Sequence, residues 1–169
     1  MSLILIGMMG SGKTTVGRAL ARRLKMRFVD LDRIIEMNTG KSVSQIFDTD
    51  GEAAFRDWET EAIRELMDEQ NIVLSVGGGA PMRAENFEML KRIGKIVFLE
   101  ASAKTVRERV ERKPAKRPLL KQDRNDAIER LLAERAEVYK KADWVVNVDE
   151  KSVPAVVRQI ETLMYENLS

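Results

Sequence analysis

The 169-residue chain contains no cysteine and no histidine. Without cysteine there is neither a disulfide framework nor a thiol nucleophile. Without histidine there is no imidazole base, no histidine metal ligand and no Ser-His-Asp triad, so a proton acceptor has to be a carboxylate, a lysine or a tyrosine. A metal would have to be a hard cation held by oxygen, which favours Mg2+. No apolar run approaches the roughly 20 residues that span a bilayer, and residues 2–6 are too short for the core of a signal peptide. These absences lead to the expectation of a cytoplasmic protein with no membrane partner. The net charge of +2 provides no overall field to attract nucleic acid. Internal repeats, low-complexity tracts and linkers are also missing, and the length suits a single domain spanning residues 1–169.

What is present is an alternation of short apolar runs and helical periods. Strands are expected at residues 3–6, 27–30, 72–76, 96–99 and 144–148. Between them, helical spacing places Val16, Leu20 and Leu24 on one face, then Phe55, Trp58, Ala62 and Leu66. Further helices are expected at residues 85–91, 103–112, 128–139 and 153–164. Five apolar strands alternating with helices predict an α/β protein, a parallel sheet covered on both faces. Residues 113–124 form the one long irregular connection, with Pro114 and Pro118, and a loop of that length suits a lid. Eight Lys or Arg against three Asp or Glu fall in residues 107–124. Most of these charges are expected to be solvated, but Arg117 could neutralise a transferring phosphoryl group.

The segment 7–14, GMMGSGKT, fits G-x-x-x-x-G-K-[ST]. Its glycines let the backbone turn so that N–H groups point at phosphate oxygens, and the helix that follows adds its positive end. Lys13, expected to be exposed there, can reach the β- and γ-phosphates, and the Thr14 hydroxyl can bind Mg2+. A dinucleotide-binding loop fits poorly, because Thr15 stands where its last glycine is needed. Asp30 and Asp32 close the second strand, where alternation would give them the same facing. They could position Mg2+ and a substrate hydroxyl, or Asp32 could cap the helix that follows. Gly77-Gly78-Gly79 permits close backbone approach to a ligand, or is a plain turn. Arg56 could simply pair with Glu59, or be held by it while gripping an anion. Arg135 falls in an apolar stripe, so its guanidinium needs an anionic partner from the protein or from a ligand.

Taken in order, GMMGSGKTTVG, DLD, FRDWE, GGGA, RPLL and RAEVY resemble the shikimate kinase family across essentially the whole chain. The resemblance implies a three-layer α/β/α fold with a five-stranded parallel sheet in the order 2-3-1-4-5, a P-loop and a lid. It implies phosphorylation of the 3-hydroxyl of shikimate by ATP with one Mg2+, in the pathway to chorismate, and a monomer with ATP and shikimate as its partners. ATP would be held by Gly10, Ser11, Gly12, Lys13, Thr14 and Thr15, with Arg109 stacking on adenine and the loop at Val153 and Pro154 closing its other face. Arg117 would be the lid arginine near the γ-phosphate, and Asp30 would hold Mg2+ through water. Asp32 would contact the ring hydroxyls. Arg56, Arg135 and the backbone of Gly78, between Gly77 and Gly79, would hold the carboxylate, with Glu59 orienting Arg56. The motifs FRDWE, GGGA and RPLL argue against a gluconate or nucleotide kinase. A nucleotide-binding regulator without turnover would leave Asp32, Arg56 and Arg135 no reason to converge.

Overall fold

β1 (Leu3–Ile6) is buried at every position. Only a strand covered on both faces requires that, since successive side chains point to opposite sides. In the computed structural model, which describes residues 1–112 and 124–168, β1 is the centre of a parallel sheet with β2 (Arg27–Asp30), β3 (Ile72–Ser75), β4 (Lys95–Glu100) and β5 (Trp144–Asn147). The strand order is β2-β3-β1-β4-β5, as the resemblance implies. The outermost strand β5 is less covered, with Val145 exposed.

The helices cover this sheet in two layers. α1 (Lys13–Leu24) packs on β3 and on α8 (Val153–Glu166). α4 (Glu52–Glu65) packs on α5 (Ala84–Ile93), which lies against β1 and β4. α6 (Ala103–Glu111) packs on α7 (Arg124–Tyr139). α1 shows how the sequence specifies these layers: Val16, Leu20 and Ala21 are buried on one stripe, and Lys25 ends the helix in a left-handed conformation. Its amide caps the carbonyls of Ala21 and Arg22. Each fully buried Leu or Ile contributes about 1.5–3 kcal/mol, so β1 alone is a major source of stability.

Two local expectations need correction. β2 ends at Asp30 and α2 (Leu31–Thr39) starts at once, so strand alternation does not reach Asp32. The cap of α2 is Asp30, whose Oδ1 accepts from the Asp32 amide at 3.1 Å, and Asp32 sits in the first turn. Val153 and Pro154 are not in a loop either: they form the first turn of α8, capped by Ser152. Hydrophobic periodicity does not flag α3 (Val43–Thr49). Its signal is the reciprocal capping box of Ser42 and Gln45. The expected lid and Arg117 lie outside the described residues, apart from Arg124, where α7 begins.

Candidate active site

Strand register brings the motifs level. Leu5 pairs with Ser75, and Ser75 pairs with Asp30, so β1, β3 and β2 end together at one edge of the sheet. Chain leaving those three ends forms one cleft of about 910 Å³, the position where parallel α/β sheets receive ligands. Residues 10–15, Asp30, Asp32, Arg56, Glu59, residues 77–79, Arg109 and Arg135 all line it.

On the P-loop side, Gly10 and Gly12 take φ of 77° and 94°, which allows the loop to fold back on itself. The first N–H groups of α1 have no partner within the helix and face the loop's concavity. Lys13 is half-buried rather than exposed, because its ammonium donates to the carbonyls of Gly7 at 2.7 Å and Met8 at 3.0 Å. The fold thus holds the lysine across the loop before any phosphate arrives. Arg109 reaches the same loop from α6, donating to the Gly10 carbonyl at 3.1 Å. Lys151 and Val153 add to the wall on this side, whereas Pro154 is exposed and outside the cleft lining. The oxygen donors near the loop are Thr14 and Asp30. Burial raises the Asp30 carboxyl above its usual value, while the Asp32 amide, Lys13 and Arg18 pull it back.

The facing side is an anion cradle. Arg56 donates to Glu59 Oε1 at 2.7 Å and to Glu52 Oε1 at 3.2 Å. Burial opposes the Arg56 cation, but Glu59 and Glu52 outweigh it and its pKa rises. Glu59 is fully buried, which pushes its carboxyl up to about 7 against the pull of Arg56. The 2.7 Å contact has the length of a charge-assisted bond, the form the pair takes once Glu59 is ionised. Arg135 is 4% exposed. Its Nη1 lies 3.6 Å from Met8 Sδ, and among the described residues no carboxylate comes within ion-pair distance.

The three glycines explain how two arginines fit there. A Cβ on Gly78 would fall 2.6 Å from Arg135 Nη1, and one on Gly79 would fall 2.5 Å from Arg56 Nη2. Close approach is therefore the role of Gly78 and Gly79, and what approaches is the protein's own guanidinium groups. Asp32 is half-buried beside them, its Oδ1 facing Gly77.

Sequence reasoning missed two supporting groups. Tyr139 donates to the Gly78 carbonyl at 2.6 Å. The buried Asn86 donates to Ala80 at 2.9 Å and accepts from Thr60 at 2.8 Å, tying the glycine turn to α4. Tyr139 is indistinguishable from core in its apolar stripe, and Asn86 stands alone in a helix, so neither carries a spacing signal.

A phosphate cradle facing an anion cradle across the edge of a parallel sheet defines an ATP-dependent small-molecule phosphotransferase. The family model for shikimate kinase matches residues 9–164. The chain is 42% identical to a shikimate kinase of Francisella tularensis subsp. novicida, over 98% of this chain and 95% of that protein. It is 47% identical to one of Thermus thermophilus, over 92% and 85%. Its structure superposes on a shikimate kinase from Acinetobacter baumannii in complex with shikimate with a TM-score of 0.94 and 34% identity, covering 98% and 93% of the two chains. The chain belongs to the shikimate kinase family.

Proposed function

We propose that this protein transfers the γ-phosphoryl group of ATP to the 3-hydroxyl of shikimate, giving shikimate 3-phosphate and ADP. The observation that carries the reading is the pair of arginines, buried Arg135 packed on Gly78 and half-buried Arg56 packed on Gly79, opposite the P-loop in the same cleft. A small carboxylate with vicinal hydroxyls matches that surface: planar guanidinium groups suit the carboxylate, and Asp32 suits the hydroxyls. Arg56, held by Glu59, and Arg135 grip the carboxylate together with the Gly78 amide. Asp32 accepts a hydrogen bond from the attacking hydroxyl and aims its oxygen at the γ-phosphorus.

Lys13 leaves the two carbonyls that hold it and meets the β- and γ-phosphates, where the loop amides of residues 10–15 also bind. Arg117 follows the role its motif implies, offsetting charge on the transferring group, and Arg109 borders the base. Thr14 and Asp30, an all-oxygen donor set, fit a single Mg2+ held mostly by phosphates and water. When bound, Mg2+ supplies charge neutralisation at the phosphate oxygens. Phosphoryl transfer depends mainly on positioning and charge neutralisation, so the lack of histidine is no obstacle. Among the described residues no helix is long and apolar enough to cross a membrane. We place the protein in the cytoplasm as a monomer built from one domain, with no role in nucleic-acid binding.

The test is an ADP-release assay run in parallel with shikimate, gluconate and nucleoside monophosphates. Shikimate alone should give rapid, Mg2+-dependent turnover. Faster turnover with either alternative would overturn the reading.

A further inference from the structure

We infer that Tyr139 is a positioning residue: its hydroxyl, bonded to the Gly78 backbone and set beside Arg135, fixes the spacing of two groups that meet the acceptor carboxylate. The inference rests on the proposed role of Arg135. Tyr139 lies one helical turn after Arg135 on α7 and is 0% exposed. Its Oη donates to the Gly78 carbonyl, 61 residues away, at 2.6 Å. A phenol has a single proton, so with that proton spent on Gly78 the oxygen meets the Arg135 guanidinium only as an acceptor. Arg135 Nη1 lies beside this hydroxyl: a Cβ on Gly78 would fall 2.6 Å from Nη1 and 3.3 Å from the Tyr139 oxygen.

The polarity of the contact is therefore fixed: Tyr139 donates to Gly78, and its oxygen lone pairs are left for the Arg135 cation beside it. The same guanidinium packs against Gly78, close enough that a Cβ would fall 2.6 Å from Nη1. Its other neighbour is a thioether, Met8 Sδ at 3.6 Å. A thioether is a weak acceptor and imposes little direction. Arg56 on the opposite side has Glu59 and Glu52 to orient it, whereas among the described residues no carboxylate does this for Arg135. The phenol is the group that can. The Tyr139 ring is itself fixed against Phe98, with centroids 4.8 Å apart, so the hydroxyl is presented from a rigid mount.

Tyr139→Phe keeps the ring and its packing and deletes only the link. It should raise the KM for shikimate roughly ten-fold, the order expected for losing one hydrogen bond to a charged group. The KM for ATP should stay within about two-fold, and kcat at saturating shikimate should change little. A merely structural hydroxyl would lower the melting temperature without separating the two KM values. In an Arg135→Ala background, adding Tyr139→Phe should change the shikimate KM by less than about two-fold, because the group it orients is gone. A Tyr139→Phe enzyme with unchanged shikimate KM overturns the inference, and so does an undiminished effect in the Arg135→Ala background. An unchanged shikimate KM in Arg135→Ala alone removes the carboxylate reading, and this inference with it. Calorimetric shikimate binding to each folded variant gives the same comparison without turnover.

Discussion

Replacing Gly79 with alanine tests whether the glycine turn exists to let Arg56 approach. Gly79 has φ −91° and ψ −12°, a conformation alanine adopts without strain. The added Cβ, however, would fall 2.5 Å from Arg56 Nη2 and 2.6 Å from Cζ and Nη1. Ordinary contact begins near 3.4 Å, so the guanidinium must retreat by 0.9 Å (3.4 minus 2.5). If the retreat runs along the Glu59 bond, the 2.7 Å contact lengthens to 3.6 Å, beyond hydrogen-bond range. The obstacle is the far end of a flexible side chain, so the fold should survive, with about 1 kcal/mol lost from the weakened bond. Function should suffer more, since a displacement of about 1 Å in a positioning group can cost on the order of 10²-fold. Initial rates with each substrate varied, together with a thermal melt, give the result. We expect shikimate KM up by roughly 10- to 100-fold, ATP KM within about two-fold and a melting temperature within a few degrees. A shikimate KM near that of the parent would refute the close-approach account, and equal rises in both KM values would point to a general distortion of the cleft.

Lys13→Ala should fold normally and lose roughly 10²-fold or more in kcat, because its charge acts on the developing transition state; near-parental turnover would contradict the P-loop assignment. Arg135→Ala should leave the melting temperature of the unliganded protein nearly unchanged, since among the described residues no buried carboxylate is stranded by its loss, while raising shikimate KM strongly and ATP KM little. A loss of about 3–5 kcal/mol would instead reveal a structural ion pair. For Glu59, burial raises the folded-state pKa from 4.5 to about 7, so the folded protein holds the extra proton. The stability this contributes is full below about 4.5 and lost as pH rises through about 7, a trend measurable by urea unfolding. Protonation also removes the charge that holds Arg56, so kcat/KM for shikimate should fall as pH drops below about 7; the same acid limb in Glu59→Gln would assign it to another group.

The sheet was legible because its strands are short, apolar on both faces and separated by helical periods. The ends moved by a residue or so: β3 stops at Ser75 and β5 at Asn147. Such shifts are expected where hydrophobic pattern fades into a turn. The P-loop was legible because its glycine spacing encodes backbone geometry directly. Asp30 and Asp32 were found as a pair but for a reason the structure replaces, since the Asp30 carboxylate turns the chain from strand into helix and delivers Asp32 to the cleft from a first turn. The resemblance implies a loop at Val153 and Pro154, but Ser152 followed by Pro154 is a helix start, with the Ser152 hydroxyl accepting from the Ala155 amide. Asn86 and Tyr139 were not legible, because their significance depends on partners 26 and 61 residues away.

The uneven treatment of half-buried Arg56 and buried Arg135 follows from what each must do. Burying a charge costs several kcal/mol unless paired. Arg56 is offset within the protein by Glu59 and Glu52, so it is oriented before a ligand arrives but its charge is partly spent. Among the described residues Arg135 has a neighbouring phenol and a thioether instead, so more of its charge is left for an incoming anion. A cradle built only from pairs of the first kind would be stable and bind weakly; one built only from the second kind would strain the fold. Combining one of each, both pressed against glycines that leave room for them, gives a site that is preorganised on one side and electrostatically unsatisfied on the other. On the proposed reading, the carboxylate of shikimate gains from both, which sets the ring hydroxyls between Asp32 and the phosphate loop.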